Sequence, residues 1–210
     1  WEWGYRETDM LGGHDPYSSS KAACEIVINS YRKSFFEELG LPIASARAGN
    51  VIGGGDWSED RLIPDAMRAW KKKETLYIRR PDATRPWQHV LEPLHGYLML
   101  AQEMSRDHEK AQAYNFGPDQ DATASVREVI TIAQGFFGEC EVDFGNCDQG
   151  PHESNWLSLD TSKSQQELGV ISKWSLSQTI QHSISWYQDL ELGGDALTLC
   201  NQQIDLYNNT

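Results

Sequence analysis

A tyrosine and a lysine lie four positions apart at the start of the first predicted helix. Tyr17 and Lys21 bound the run Tyr-Ser-Ser-Ser-Lys, and side chains at this spacing project from the same face of a helix. An ammonium group near a phenol favours the phenolate, and the helix N-terminus acts in the same direction. Such a tyrosine can take a proton from a sugar hydroxyl. The alternative is a surface pair, because eight tyrosines make the spacing common by chance.

A glycine-rich segment at residues 49–57 follows a short uncharged run that predicts a buried strand. Ligands of open α/β sheets bind beyond the carboxyl ends of the strands, where this segment is expected. Its glycines let the backbone approach a ligand, and Asn50 offers both a donor and an acceptor. This position favours a ligand-binding loop over a plain flexible turn.

Three arginines, Arg79, Arg80 and Arg85, lie within seven residues of a chain that has 31 acidic and 18 basic side chains. Guanidinium groups suit bidentate contacts with phosphate, and a solvated charge cluster is the alternative. The neighbouring prolines and tryptophan argue against a mobile surface run. Asn115, at the end of a predicted strand, and His152 are weaker candidates that on their own indicate structural roles.

Predicted strands alternate with predicted helices, which favours an α/β chain with a mostly parallel sheet. The strands are expected at 43–48, 75–79 and 113–117, and the helices at 17–39, 62–73, 91–104, 126–137, 162–168 and 176–190. The helix at 17–39 has apolar residues on two faces, and such a helix often packs against a second subunit as well as its own core. Residues 193–210 are polar and interrupted by glycine, so we expect a loosely held tail.

Composition argues against several classes of partner. The net charge of −13 repels polyphosphate, so nucleic acid is not expected as a partner. No apolar run approaches the roughly 20 residues of a membrane span, so no membrane partner is expected. The histidines and cysteines lack zinc-ligand spacing, and no metal site is expected. Four cysteines without a C-x-x-C pair are interpreted as free thiols, which favours a cytoplasmic location.

Taken in order, these segments resemble the extended short-chain dehydrogenase/reductase superfamily and, within it, the CDP-glucose 4,6-dehydratases. The Tyr-x-x-x-Lys pair is typical of the whole superfamily. Two runs are typical of the subfamily, Ala-Gly-Asn-Val-Ile-Gly-Gly-Gly-Asp-Trp at 48–57 and Arg-Pro-Trp-Gln-His-Val-Leu-Glu-Pro-Leu at 85–94. The likeness extends over about residues 1–190.

The resemblance implies an NAD-dependent lyase that converts CDP-glucose to CDP-4-keto-6-deoxy-glucose, as in O-antigen biosynthesis. Tyr17 would remove the proton of the sugar 4-hydroxyl while hydride passes from C4 to NAD. Water would then leave across C5 and C6, and the hydride would return to C6. Lys21 would hold the nicotinamide ribose, and Asn50 would contact both cofactor and substrate. The substrate-binding residues that the resemblance implies are Asn50, Arg61, Leu62, Ile63, Tyr77, Ile78, Arg85, Asn115 and His152.

The resemblance also implies an incomplete Rossmann-like parallel sheet, without its N-terminal part, and a smaller α/β substrate-binding domain. Residues 1–55 would complete the NAD-binding domain. Residues 56–190 would bind mainly the nucleotide sugar, interleaved with Rossmann strands near 85–120, and residues 191–210 would form a tail. The glycine loop that cradles the dinucleotide pyrophosphate in the family is absent from this chain. We therefore expect this chain alone to be inactive.

Two alternatives stay open at this point. The first is another nucleotide-sugar dehydratase or a 4-epimerase of the same fold. The second is a fragment that binds a nucleotide sugar without catalysis. The superfamily resemblance further implies a homo-oligomer, a dimer or tetramer, held together through the helix at 17–39.

Overall fold

The computed structural model describes residues 3–119, 123–145 and 156–210. Its α-helices are α1 (Pro16–Tyr31), α2 (Leu62–Lys71), α3 (Leu91–Arg106), α4 (Val126–Phe137), α5 (Ser162–Leu168), α6 (Leu176–Glu191) and α7 (Ala196–Asn208). Its strands are β1 (Ser45–Ala48), β2 (Asn50–Ile52), β3 (Leu76–Ile78), β4 (Thr84–Arg85), β5 (Trp87–His89), β6 (Ala113–Phe116), β7 (Ala124–Ser125) and β8 (Val142–Phe144). A π-helical turn, Arg32–Phe36, continues α1.

The described strands associate two by two, and three of the four pairs are parallel. β1 lies beside β6, β2 beside β5 and β3 beside β8, whereas β4 and β7 are antiparallel. Helix α3 connects β5 to β6, as expected of crossovers in parallel sheets. The predicted α/β class with parallel strand pairing is therefore confirmed.

The backbone at Gly49, between β1 and β2, lies very close to the backbone at Pro86, between β4 and β5. A side chain here would bring its Cβ to 2.7 Å from the Pro86 carbonyl oxygen, so only glycine fits without a shift of the backbone. The amide of Asn50 donates to the same carbonyl at 3.0 Å. This contact places the end of β1 and the start of β2 beside the junction of β4 and β5.

Helix α1 begins at a well-capped N-terminus. The Asp15 carboxylate accepts hydrogen bonds from the amides of Tyr17 and Ser18, and Pro16 occupies the first helical position. The prediction of a helix over 17–39 is confirmed as far as Phe36, where the helix has already widened into the π turn. No residue of α1 is buried, and several of its large apolar side chains, Ile26, Val27 and Tyr31 among them, are exposed.

Apolar side chains of the described residues form two clusters. The larger cluster joins α2, α4 and α6 with β3 and β5, and it includes Ile63, Trp70 and Ile184. The smaller cluster packs Leu100 of α3 against Phe116 of β6 and also includes Tyr114 and Leu168. Burial of these side chains from water supplies the main driving force that holds the helices on the strands.

The expectation of a loosely held tail at 193–210 is wrong, because this segment forms the packed helix α7. Asp195 caps the helix by accepting from the Thr198 amide at 2.9 Å. Leu199 and Tyr207 are buried, and Gln203 between them donates to the His182 carbonyl at 2.7 Å. These three positions are four residues apart and share one helical face, so the polar composition belongs to the opposite face.

The glycine-rich segment is also more ordered than predicted. Asn50–Ile52 is strand β2, paired with β5, so the loop that follows begins only at Gly53. β-branched Val51 and Ile52 suit this extended conformation.

In the described part of the chain, every helix is too short or too polar to cross a membrane.

Candidate active site

An open cleft of about 1060 Å³ lies between the start of α1, the end of β2, the start of α2 and strands β3 and β4. Tyr17 and Arg85 line the same cleft, although they belong to different elements. Six further residues selected from the sequence share its lining, namely Asn50, Arg61, Leu62, Ile63, Tyr77 and Ile78. The volume suits a ligand somewhat larger than an ordinary drug-sized molecule.

The phenol of Tyr17 is presented to solvent at the edge of the cleft. Tyr17 stands in the first turn of α1 and is 70% exposed. The Lys21 ammonium lies 5.6 Å from the centroid of the tyrosine ring, so the two side chains are neighbours on one face of the helix. Lys21 itself stands outside the cleft lining. The pair can therefore present a hydroxyl and a nearby cation to a ligand that occupies the cleft edge.

A second element, the first turn of α2, supplies backbone and apolar groups. Arg61 is the N-cap residue, and no described side chain caps the helix there. Leu62 and Ile63 follow it in the lining, while Pro64 has no amide hydrogen to satisfy. This leaves a helix start with partial positive charge at the cleft wall.

The opposite wall carries an aromatic residue and a group of cations. Tyr77 of β3 is half exposed, and it packs against Gly145, where any Cβ would meet its hydroxyl at 2.5 Å. Arg79, Arg80 and Arg85 follow β3 and all line the cleft. The Arg85 guanidinium donates to the Thr84 carbonyl at 2.8 Å.

The charge of the cleft is mixed rather than uniformly basic. Asp56, Asp60 and Asp65 line it together with the arginines. Burial acts to raise the pKa of Asp56, but hydrogen bonds from Ser58 and the charge of Arg61 outweigh it and lower the pKa. Asp65 forms an ion pair with Arg68. The arginines on the β3–β4 side are thus the cationic wall of this cleft, and the aspartates stand near α2.

Asn115, which was also predicted as a site residue, is not part of the cleft lining. Asn115 is buried on β6, and its amide nitrogen donates to the carbonyls of Tyr5 at 2.9 Å and Asp160 at 3.2 Å. This geometry joins β6 to two flanking segments and supports a structural role. His152 lies outside the described residues.

Several lining residues were not selected from the sequence, among them Trp87, Val126 and Leu157. Leu157 reaches the cleft because the adjacent Trp156 forms a bridge with Thr84, far away along the chain. Asp60 lies in the loop before α2 with φ 59°. No local pattern marks these positions, since long-range pairing alone brings them together.

A model of the GDP-mannose 4,6-dehydratase family matches residues 2–183 of this chain. The chain belongs to the GDP-mannose 4,6-dehydratase family. A curated CDP-glucose 4,6-dehydratase from Salmonella typhimurium is 40% identical to it over 213 residues, covering 99% of this chain and 59% of that protein. The chain thus spans less than two thirds of that relative, and the sugar nucleotide differs between the family description and the relative.

Solved structures of related enzymes share the fold of this family member. A UDP-glucuronic acid 4-epimerase from Bacillus cereus, in complex with UDP-glucuronic acid and NAD, superimposes with a TM-score of 0.77 at 19% identity over 90% of this chain and 58% of that one. A dTDP-glucose 4,6-dehydratase from Streptomyces venezuelae with NAD bound gives 0.75 at 22% identity, covering 93% and 58%. At these identities the likeness concerns the fold alone.

Proposed function

We propose that the whole protein to which these residues belong is an NAD-dependent lyase that dehydrates CDP-glucose to CDP-4-keto-6-deoxy-glucose. The observation that carries the proposal is the shared cleft of Tyr17 and Arg85. One residue can move a proton on a hexose, and the other can hold a phosphate. A diphosphate-linked sugar has both groups in one molecule.

The substrate would lie along the cleft with its diphosphate on the arginine side. Arg85 is fixed by its bond to the Thr84 carbonyl, and Arg79 and Arg80 stand beside it. Guanidinium groups match phosphate oxygens bidentately, so this wall suits the pyrophosphate. The base would lie between Tyr77 and the first turn of α2, where Leu62 and Ile63 supply apolar contact.

Tyr17 would act as the general base at the sugar 4-hydroxyl. Its hydroxyl is exposed at the cleft edge, and the Lys21 ammonium lies 5.6 Å from the ring centroid, on the same face of α1. NAD, when bound, would supply the hydride-transfer chemistry that the reaction needs. The 4-ketone makes the C5 proton acidic, so that water is lost across C5 and C6 before the hydride returns.

The residues that this chain contributes fit the nicotinamide end of the cofactor. The ammonium group of Lys21 has three hydrogens that it can donate to ribose hydroxyls. Tyr17 and Asn50 line the adjoining part of the cleft. Asn50 is held at the start of β2 by the hydrogen bond from its backbone amide to the Pro86 carbonyl. The division at residue 55 into a cofactor part and a substrate part is a further proposal, supported by the position of these three residues before it.

We also propose a homo-oligomer formed through residues 17–39. Ile26, Val27, Tyr31 and Phe35 expose apolar side chains on α1 and the turn that follows, and large exposed apolar surfaces mark contact sites. Light scattering on a Phe35→Glu variant should show a smaller particle than the wild type. An unchanged mass would contradict this interface.

The free thiols of Cys24, Cys140 and Cys200 support a cytoplasmic location.

Incubation of the whole protein with NAD and CDP-glucose tests the proposed reaction. We expect a keto product lighter than the substrate by one water, and a loss of about 10²–10⁴-fold in rate for Tyr17→Phe. Reactions with dTDP-glucose measure nucleotide preference. A product of unchanged mass and altered C4 configuration would instead support a 4-epimerase, and the absence of any conversion would contradict the proposal.

A further inference from the structure

We propose that Tyr187 and Trp186 of α6 are positioning residues, which hold the loop at residues 53–58 in the shape that admits the nucleotide sugar. This loop connects β2 to the start of α2, and Gly53, Asp56 and Ser58 line the cleft. The inference rests on the proposed function for its ligand. It concerns residues that stand behind the cleft wall rather than in it.

The Tyr187 hydroxyl holds the loop through hydrogen bonds to backbone carbonyl oxygens of the loop. It lies 2.6 Å from the Asp56 carbonyl and 3.2 Å from the Gly53 carbonyl, so its one hydrogen is shared between them. Tyr187 is 1% exposed. Burial, with the nearby charge of Asp56, raises its pKa to about 12, so the group stays a neutral donor at every physiological pH.

The ring of Trp186 sets how closely the loop can approach α6. The backbone at Gly54 lies flat on this indole, and a side chain at position 54 would clash with the ring. Gly55 has φ +86°, a conformation that L side chains rarely adopt. Trp57 closes the other side with its ring edge-on to Tyr187 at 5.1 Å between centroids. The loop is therefore held by shape as well as by hydrogen bonds.

A second donor, on α2, binds two further carbonyls of the loop. Arg68 donates to the Trp57 oxygen at 3.0 Å and to the Ser58 oxygen at 2.9 Å. Together, Tyr187 and Arg68 engage four carbonyl oxygens of the loop, and neither donor belongs to the cleft lining. These partially negative oxygens are thereby directed into the protein instead of toward an anionic ligand.

The fixed loop has a consequence for binding. A loop already fixed in its bound shape saves the entropy of ordering it when the ligand arrives. Without the Tyr187 hydroxyl, the loop would have to be ordered when the nucleotide sugar binds. Loss of the hydroxyl should therefore weaken binding of the nucleotide sugar and leave proton transfer at Tyr17 intact.

The Tyr187→Phe variant of the whole protein tests the inference, with Tyr114→Phe as a matched control. The Tyr114 hydroxyl donates at 2.9 Å to Glu167 from a buried ring outside the cleft, so both variants lose one hydrogen bond. We expect KM for CDP-glucose to rise about tenfold in Tyr187→Phe only, equivalent to about 1.4 kcal/mol. Its kcat and its affinity for NAD should be unchanged. Equal KM values in the two variants would overturn the inference.

Hydrogen exchange at the amides of residues 53–58 gives a readout independent of substrate. Exchange should be faster in Tyr187→Phe and unchanged in Tyr114→Phe, and Gly54→Ala, which forces the loop off Trp186, should match Tyr187→Phe. If the wild-type protein converts no CDP-glucose, the proposed function fails. Selective exchange would then still support the positioning role, whereas equal exchange in all variants would overturn it.

Discussion

The hydroxyl group of Tyr207 donates a 2.7 Å hydrogen bond to the carboxylate of Glu92, and this contact joins α7 to the start of α3. Glu92 is 5% exposed, and its second oxygen accepts from the amides of Lys173 at 3.0 Å and Trp174 at 2.8 Å. A buried carboxylate is stable only when such donors satisfy it. Helix α7 therefore supplies one of the donors that surround the Glu92 carboxylate. Glu92 lies three residues after His89 of β5.

Tyr207→Phe should lower the free energy of unfolding by about 2 kcal/mol, because one oxygen of the buried Glu92 loses its donor. Urea denaturation of the purified protein measures this change. Tyr5→Phe, at an exposed position before α1, is the control and should alter the free energy by less than about 0.5 kcal/mol. A loss in Tyr207→Phe no larger than in the control would contradict the role given to this bond.

Stability should fall in acid because of His89. Burial, with His182 nearby, lowers the pKa of His89 from 6.5 to about 3. The unfolded chain therefore binds a proton first as the pH falls. This contribution is complete above about pH 6.5 and is lost progressively toward pH 3, by at most about 1.4 kcal/mol per pH unit.

Urea titrations at several pH values from 7 to 4 measure this slope. His89→Asn should flatten it, since the asparagine oxygen can replace Nδ1 as the acceptor for the Leu91 amide. His108→Gln, at an exposed position, should keep the slope of the wild type. Parallel slopes for all three proteins would show that His89 does not control the acid response.

The ion pair between Glu25 and Arg47 should stabilise the docking of α1 on β1. Arg47 donates to both carboxylate oxygens, at 2.8 and 3.2 Å, and both side chains are largely shielded from water. Burial acts to raise the pKa of Glu25, but Arg47 outweighs it and lowers the pKa. Glu25→Gln should therefore lower the free energy of unfolding by about 1 kcal/mol at neutral pH.

Glu103→Gln supplies the comparison for that ion pair. Glu103 pairs with Arg106 on an open helix surface, where such pairs contribute about 0–0.5 kcal/mol. The difference between the two variants should shrink as the pH falls through the lowered pKa of Glu25, because the wild type then loses its own charge. Equal effects of the two substitutions at pH 7 would contradict the prediction.

Local signals made much of the fold predictable. Helices α4 and α5 were predicted at their observed bounds, and the structure shows local stop and start signals there: Ser125 and Glu128 form a capping box before α4, and Gly169 ends α5 in a left-handed conformation. The spacing of Tyr17 and Lys21 likewise predicted neighbouring side chains. Such features depend on residues within a few positions of one another.

Tertiary contacts decided what the sequence could not predict. α7 is polar overall and gains its order from Tyr207, whose partner Glu92 lies in a distant helix. Asn115 follows the motif of a ligand-binding residue, and the sequence did not indicate that its amide nitrogen donates to the carbonyls of Tyr5 and Asp160. Tyr187 supports the cleft loop from behind, and nothing in the sequence near position 187 indicates that contact.

Calorimetric titration of the whole protein with CDP, comparing wild type with Arg85→Gln, tests the central claim most directly. If the cleft binds a diphosphate through Arg85, the substitution should weaken CDP binding by about 10–100-fold, the value of a charge-assisted hydrogen bond or two. Arg106→Gln, on the exposed end of α3, should bind CDP as the wild type does. Equal affinity of the Arg85→Gln and wild-type proteins would contradict the account.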